Sequence, residues 1–173
     1  MTLRRAVSIA ISVVVTLGAL SLAAGVRVNT TKSVPLGFYL TASAPVKPGA
    51  YVLLCPPDQP LFREALARGY LAAGFCRGGY GYVFKRVLAA KDDIVEIDAH
   101  GVRVNGSLLP FSVPRNADRA GRPLSPYPQP RLTLGPDDLL LMGDVSPTSW
   151  DSRYYGPVSR SQIQTVITPF VTW

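Results

Sequence analysis

The chain has 173 residues, among them two cysteines and one histidine, and a formal net charge of +7. This length suits one domain with a modest core, and the hydrophobic content excludes global disorder. The basic residues are scattered, apart from a mild cluster at Arg115, Arg119 and Arg122, which favours a basic surface near anionic lipid over nucleic-acid binding. Two cysteines and one histidine form no recognisable metal-binding set, so we expect neither a metal nor a cofactor.

The first predicted element is a transmembrane helix. Residues 6–25, "AVSIAISVVVTLGALSLAAG", carry no charge, and as a helix they span about 30 Å, the thickness of a bilayer's hydrocarbon core. Arg4 and Arg5 precede this run, which predicts a cytoplasmic N-terminus and an outward-facing remainder. A cleaved signal peptide is the alternative, because "SLAAG" is rich in small residues, but cleaved apolar regions are typically shorter. We therefore expect an anchor over residues 1–26 and one folded domain over residues 27–173.

Short strands and turns are predicted beyond the anchor, because the chain has 16 prolines and 15 glycines. One short helix is expected over residues 60–74, capped by Asp58 and ended by Gly74. A hairpin is expected where "DIVEI" and "VRVNG" flank residues 98–101, and residues 110–130 are expected to be an irregular surface excursion. The other predicted strands cover residues 51–55, 80–90, 138–144 and 162–171. The predicted fold class is mainly β, an antiparallel domain behind one N-terminal helix.

Cys55 and Cys76 flank the predicted short helix. On the oxidising side of a membrane such a pair can form a disulfide, which would close a loop of about 20 residues and contribute roughly 3 kcal/mol. Two buried free thiols are the alternative.

A serine and a lysine are the candidate reactive residues. Ser33 begins "SVPLG", and a serine hydroxyl is a weak nucleophile until a base takes its proton. His100 lies in the predicted hairpin turn, which disfavours a Ser-His-Asp triad. Lys85 lies in "YVFKRVL", where strand alternation puts Val83 and Val87 on its own face. Burial between them would lower the pKa of Lys85 and let it act as a base, whereas an exposed edge-strand lysine is the commoner alternative.

The other three lysines fit the role of base less well. Lys32 adjoins Ser33, so its side chain points the other way in an extended chain. Lys47 lies in a predicted turn, and Lys91 is followed by two aspartates that would keep it charged.

A polar segment follows the strand predicted at residues 138–144. In "GDVSPTSWDSRYYGPV", Asp151 and Arg153 have the chemistry of an internal ion pair, and Ser149 and Ser152 are small donors. An ordinary loop is the simpler interpretation, but such a segment can also orient the side chains of a site.

Three blocks together resemble the bacterial type I signal peptidases, which use a Ser-Lys dyad. They occur in the family's order and are "SVPLG", "FKRV" and "GDVSPTSWDSRYYG". Signal peptidases of the general type carry S-M-x-P-T-L at the nucleophile, whereas this chain has "NTTKSVPLGFY". That pattern and the small size are more similar to the TraF-like conjugative-transfer peptidases.

The resemblance implies a role for each site residue. Ser33 is the nucleophile, Lys85 is the general base, Ser149 hydrogen-bonds Lys85, and Asp151 supports the site beside Arg153. In the branch that ligates its product, Asp151 is a candidate for a direct role.

Two further expectations concern the residues beside the dyad. Arg86 faces away from Lys85 by alternation and is expected to be structural. The backbone N–H of Ser33 and the hydroxyl of Thr31 are the expected donors to the oxyanion.

The implied function is an endopeptidase of the inner membrane with one transmembrane pass and a periplasmic catalytic domain. Members of the TraF-like group process pilin precursors for plasmid transfer, and some join the ends of the product into a ring. The expected partners are a membrane-embedded pilin or other preprotein and the lipid bilayer, with no nucleic acid. A general signal peptidase is the enzymatic alternative, and an anchored assembly protein is the non-enzymatic one.

Overall fold

The structure is a computed structural model that describes residues 3–173. It begins with helix α1, Leu3–Ala23, in which no residue is buried against the rest of the protein. This helix has 21 residues, and an 18-residue stretch within it has a mean hydropathy of 2.3, so by length and composition it can cross a membrane. The division into an anchor over residues 1–26 and a domain over 27–173 stays a prediction.

Short strands make up most of the chain after α1. Two small α-helices interrupt them, α2 at Pro60–Ala67 and α3 at Ser152–Tyr155, together with one 3₁₀ turn at Arg160–Gln162. The strands in chain order are β1 Val26–Asn29, β2 Gly37–Ala42, β3 Tyr51–Leu54, β4 Val83–Ala89, β5 Ile94–Asp98, β6 Gly101–Val104, β7 Ser107–Leu108, β8 Arg131–Thr133, β9 Asp138–Met142, β10 Val158–Ser159 and β11 Ile163–Thr172.

The strands form two antiparallel sheets. The larger has seven strands in the order β1-β2-β11-β3-β4-β9-β10, and the smaller has four in the order β7-β6-β5-β8. Every pairing in both sheets is antiparallel. The predicted fold class, mainly antiparallel β with an N-terminal apolar helix and a short helix in a loop, is therefore confirmed.

Apolar side chains from both sheets form the core around the strands that matter for the site. Val87 of β4 and Leu141 of β9 pack with Phe62 of α2 in the largest cluster. Ala89 and Met142, on the same two strands, pack against the smaller sheet. Strands β4 and β9 thus contribute to both clusters, which holds them in place as supports for the side chains that they carry.

The predicted helix over residues 60–74 is too long, and its predicted cap is wrong. Helix α2 ends at Ala67, because Gly69 adopts a left-handed φ of +77°. Its N-cap residue is Gln59, whereas the carboxylate of Asp58 accepts a hydrogen bond from Arg63 at 2.6 Å. Beyond α2, a Cβ on Gly74 would lie 2.5 Å from the Cα of Gly81, so two tightly packed backbone segments replace the predicted last turns.

The predicted strands form at the predicted positions except at their ends, whereas no prediction covers the strands β1, β2, β7, β8 and β10. The strand predicted over residues 80–90 starts at Val83, because Tyr80 forms an isolated bridge with Ala73 instead. The hairpin of β5 and β6 forms at the predicted turn, where the Asp98 carboxylate accepts hydrogen bonds from the backbone of His100 and Gly101. Residues 110–130 contain no strand or helix, as expected.

A disulfide joins Cys55, just after β3, to Cys76, in the loop after α2. The bridged residues are 21 positions apart and enclose α2. A cross-link of this span restricts the unfolded chain and so favours the folded state.

We expect the Cys55→Ser/Cys76→Ser variant to lose about 3 kcal/mol of its free energy of unfolding, since the open loop gains conformational entropy. Denaturant unfolding of both proteins, with reduced wild type as the control, measures the loss. Two alkylatable thiols in protein purified from the cell envelope would contradict both the bridge and the outward orientation.

Candidate active site

Ser33 lies in the loop between β1 and β2, and a buried asparagine at the end of β1 holds this loop. The side-chain amide of Asn29 donates to the carbonyl oxygens of Thr31, Val34 and Pro35 at 2.8, 3.0 and 2.9 Å. Its carbonyl oxygen accepts from the backbone N–H and the hydroxyl of Thr31 at 3.0 and 2.9 Å. Backbone hydrogen bonding in this loop is incomplete, since Pro35 has no N–H to contribute. The Asn29 side chain supplies hydrogen bonds to the loop's backbone in its place.

The end of β9 fixes the other side of the serine. The backbone N–H of Asp144 donates to the carbonyl oxygen of Ser33 at 3.0 Å. The backbone N–H of Ser33 itself makes no hydrogen bond within residues 3–173. The serine is thus clamped from two directions while its own N–H stays free for another acceptor.

Lys85 reaches Ser33 from the middle of β4. The side chain of Lys85 is buried, with 2% of the residue exposed. Its amine donates to Ser33 Oγ at 3.0 Å and to Ser149 Oγ at 2.7 Å. The Ser149 hydroxyl donates in turn to Ser33 Oγ at 3.2 Å. Three residues that are far apart in sequence therefore form one closed triangle of polar atoms.

Burial makes the charged form of this lysine unfavourable. Desolvation is the largest influence and lowers the pKa of Lys85 from 10.5 to about 8, with the Asp151 charge opposing and the Arg153 charge assisting the change. A substantial fraction of Lys85 is therefore neutral at mildly alkaline pH, and a neutral amine can accept a proton.

Ser149 is brought to the lysine by a glycine with no space for a side chain. Gly143 directly follows β9, and a Cβ on it would lie 2.6 Å from both Ser149 Oγ and the carbonyl oxygen of Ser33. Any larger residue at position 143 would push these two segments apart. The glycine is therefore a geometric requirement of the triangle.

A buried ion pair supports the segment that carries Ser149. Asp151 and Arg153 are both 0% exposed, and the guanidinium donates to the two carboxylate oxygens at 2.8 Å each. Arg153 also donates to the carbonyl oxygens of Phe111 and Ser149 at 2.7 and 3.2 Å. The Asp151 carboxylate accepts from the backbone N–H of Gly143 at 3.0 Å. The pair thus ties together β9, the Ser149 segment and the start of the irregular excursion.

The ionisation of the pair follows from these contacts. Burial raises the pKa of Asp151, but the hydrogen bonds and charge of Arg153, the charge of Lys85 and the Gly143 N–H together hold it below its ordinary value. Burial lowers the pKa of Arg153, and Asp151 outweighs this effect and raises it. Both groups therefore stay charged at neutral pH.

Arg86 and Thr31 lie outside the triangle. Arg86 pairs with the carboxylate of Asp144 at 3.1 Å and lies over the ring of Tyr51, on the side of β4 opposite to Lys85. The hydroxyl of Thr31 is engaged with Asn29, so its service as an oxyanion donor stays a prediction. The sequence-predicted residues Ser33, Lys85 and Ser149 therefore lie together, with Asp151 and Arg153 behind them.

Asn29 and Gly143 are the two residues that sequence reasoning missed. Asn29 is an ordinary polar residue in "RVNTT", and its five side-chain hydrogen bonds depend on a loop conformation that no local pattern predicts. Gly143 follows an apolar strand in "LLLMGD", and a glycine there is a weak signal for a close backbone approach.

Replacing Asn29 by alanine should destabilise the protein by about 2 to 4 kcal/mol, because several buried backbone groups lose their partner. Chemical unfolding measures the loss, with the exposed Asn116→Ala as the control. A loss of less than about 1 kcal/mol would contradict this prediction and would mean that water replaces the lost hydrogen bonds.

An open cleft of about 570 Å³ borders the triangle. Ser33 and Ser149 lie in one wall, and the end of α2 and the irregular excursion provide the other. Trp150, which packs edge-on against Phe62 of α2 at a centroid distance of 5.4 Å, joins the two walls. A cavity of this size accommodates several residues of an extended peptide.

A strand-built domain in which a buried lysine contacts a serine beside an open cleft has what a serine peptidase needs, namely a candidate nucleophile, a candidate base and room for a peptide. The sequence profile of the family described as signal peptidase, peptidase S26, matches residues 2–173. The chain therefore belongs to this signal peptidase family, and membership implies a serine peptidase.

Within this family the chain is similar to proteins named for conjugative transfer. A plasmid transfer protein TraF of Escherichia coli is 63% identical over 151 residues, which cover 87% of this chain and 85% of that protein. A conjugal transfer protein TraF of Agrobacterium tumefaciens is 36% identical over 159 residues, 91% of this chain and 88% of that one. A signal peptidase I of Enterococcus faecalis has a TM-score of 0.43 and 17% identity, covering 73% of this chain and 100% of that chain.

Proposed function

We propose that the chain is a membrane-anchored serine endopeptidase that matures a pilin precursor for conjugative transfer, with Ser33 as nucleophile and Lys85 as general base. The observation that carries the proposal is the 3.0 Å contact between Lys85 Nζ and Ser33 Oγ in a site where Lys85 is buried. The TraF names of the relatives support the role in conjugation.

The proposed reaction uses the neutral form of Lys85. Its amine takes the hydroxyl proton of Ser33, and Ser33 Oγ attacks the scissile carbonyl to form an acyl-enzyme. The free N–H of Ser33 donates to the oxyanion. The protonated lysine then supplies the proton to the leaving amine, and Ser149 keeps the Lys85 amine aimed at Ser33 through its 2.7 Å hydrogen bond.

Either water or an amine can resolve the acyl-enzyme. Water gives a linear product, whereas attack by the substrate's own N-terminus gives a cyclic one. The two products differ in mass by one water, so mass spectrometry distinguishes them.

The proposed location is the inner membrane, with α1 as a single pass and the catalytic domain in the periplasm. An exposed apolar row on the sheet next to α1 supports this arrangement. Phe38 pairs across the sheet with Val28 on one side and with Val171 on the other, and all three side chains are exposed. The ring of Trp173 packs on Phe38 at a centroid distance of 5.8 Å. A site held near the bilayer suits a membrane-embedded substrate.

The decisive experiment is mass spectrometry of a candidate pilin precursor co-expressed with this chain or with its Ser33→Ala variant. We expect a shortened product with the wild type only. Removal of a signal peptide from a secreted reporter, with the pilin left intact, would favour the alternative of a general signal peptidase, which the family profile also supports. No processing of either substrate would contradict the peptidase proposal.

Cleavage should be faster at alkaline pH. Because the neutral amine is the active form and the pKa of Lys85 is about 8, the rate should rise with a midpoint near pH 8 and then level off. A histidine base would give a rise at about pH 6 to 7 instead. The measurement is the cleavage rate against pH for wild type and His100→Ala. A shifted or absent ionisation in His100→Ala would contradict the role of Lys85.

A further inference from the structure

The cleft beside Ser33 is strongly basic. Five basic side chains line it, and they are Lys32 beside Ser33, Arg68 just after α2, and Arg115, Arg119 and Arg122 of the irregular excursion. One acidic residue, Asp118, is among its lining residues. These five cations define the basic cleft.

The single carboxylate of the basic cleft is fully engaged within the protein. Asp118 accepts hydrogen bonds from the Tyr70 hydroxyl and the Arg122 side chain, each at 2.6 Å, and from the backbone of Ala120 and Arg122 at 2.8 and 2.9 Å. Asp118 therefore neutralises Arg122 and gives the excursion its shape. It has no oxygen left over for the other arginines.

Within residues 3–173, three of the five cations have no acidic partner, and they are Lys32, Arg115 and Arg119. Arg68 pairs with Glu64 at 2.5 Å, and Arg122 pairs with Asp118. Arg115 and Arg119 form no salt bridge or side-chain hydrogen bond with any residue from Leu3 to Trp173, and both are exposed at the cleft. Like charges gathered in this way repel one another and raise the affinity of the cleft for an anion.

The position of these charges points to the substrate itself as the source of the anion. Arg115, Arg119 and the nucleophile candidate Ser33 line one continuous cavity, so a peptide bound for cleavage passes the arginines. An arginine guanidinium binds a carboxylate with two parallel hydrogen bonds.

We infer that Arg115 and Arg119 bind a carboxylate of the substrate close to the scissile bond, so that the enzyme selects an acidic segment for cleavage. The carboxylate is either an acidic side chain or a free C-terminus. This inference rests on the proposed peptidase function and adds the chemical class of substrate that the cleft accepts.

The test measures binding separately from cleavage. Fluorescein-labelled decapeptides of alanine and glycine carry one glutamate, placed at each position in turn, or glutamine at the same position. A second pair has either a free or an amidated C-terminus. Their Kd values for the full-length Ser33→Ala protein in uncharged detergent are measured by fluorescence anisotropy. At one or more positions, or at the free C-terminus, the acid should bind about fivefold more tightly than its neutral match.

Two substituted proteins test whether Arg115 and Arg119 cause this preference for acidic peptides. Arg115→Gln/Arg119→Gln should reduce the ratio between acidic and neutral peptides to about one. Lys47→Gln/Arg77→Gln removes the same charge at exposed positions outside the basic cleft and should preserve the ratio. The preference should also weaken as the salt concentration rises. A preference that is absent at every position and at the C-terminus, or that survives in Arg115→Gln/Arg119→Gln, overturns the inference.

The remaining outcomes separate the inference from its alternatives. Vesicles of phosphatidylglycerol that bind the wild type through Arg115 and Arg119, with no peptide preference, would assign the arginines to lipid and overturn the inference. Acidic peptides that bind with the expected preference, combined with no pilin processing by the wild type, would leave the carboxylate site standing and contradict the peptidase function. Pilin processing by the wild type without any preference for acidic peptides would leave the peptidase function standing and contradict the carboxylate site.

Discussion

Alanine at position 33 or methionine at position 85 is expected to lower the rate of precursor cleavage by about 10⁴-fold or more, to background. Ser33→Ala removes the attacking oxygen, and Lys85→Met removes the amine 3.0 Å from it while keeping an apolar chain of similar length. Cleavage of the pilin precursor in membranes, followed by mass spectrometry or blotting, measures the loss.

Stability measurements show whether cleavage is lost because a reacting group is missing or because the variant unfolds. Lys85→Met should be no less stable than the wild type, because it removes a buried amine whose charged form is disfavoured, as its lowered pKa indicates. Arg86→Ala is the matched control on the same strand. It should retain cleavage and lose some stability, because it breaks the contact with Asp144. Retained cleavage in Ser33→Ala or Lys85→Met would refute the Ser-Lys assignment.

Replacing Arg153 by methionine should cost about 3 to 5 kcal/mol of unfolding free energy, since it leaves the Asp151 carboxylate buried without its partner. The effect should be larger than for any surface pair, because both side chains are 0% exposed. Denaturant unfolding of the purified protein measures the loss. Arg63→Met is the control, because it breaks the exposed pair with Asp58 and should cost at most about 1 kcal/mol.

The same pair should give the protein a specific sensitivity to acid. Because the pKa of Asp151 is lower in the folded state than in the unfolded state, its stabilising contribution is complete above about pH 4 and is lost as the pH falls below that value. The Asp151→Leu/Arg153→Met variant should lack this loss and recover part of the stability. An unchanged acid sensitivity in that variant would assign it to other carboxylates.

The fold class and the burial of Lys85 were predictable because their signals are local, whereas the pairing of Lys85 with Ser33, 52 residues away, was implied by the family resemblance. Alternation within "YVFKRVL" places Lys85 with Val83 and Val87, and burial on β4 follows from that pattern. The early end of α2 was less predictable, because Gly69 competes with an otherwise good helical pattern up to Gly74. The last turns give way to backbone packing against Gly81, a contact between residues distant from the helix.

The supports of the site were not predictable for a related reason. Asn29 acts through carbonyl groups up to six residues away, and Gly143 acts through the space between Ser33 and Ser149. Such contacts exist only in three dimensions, and a single sequence carries no periodic pattern for them. The basic cleft is an intermediate case. The arginine cluster was visible in the sequence, but its position opposite Ser33 required the path of residues 110–130.

The position of β11 has a consequence for the order in which the candidate site assembles. This strand, Ile163–Thr172, pairs with β2 on one side and β3 on the other. The loop carrying Ser33 leads into β2, and Lys85 lies on β4 beside β3. A strand that follows both Ser33 and Lys85 in the chain therefore connects the strand after the serine loop to the strands that include Lys85. Pairings between such distant segments form late in folding. A chain in which β11 has not yet paired therefore lacks the sheet connection between Ser33 and Lys85, so the proposed dyad assembles only after this strand is in place.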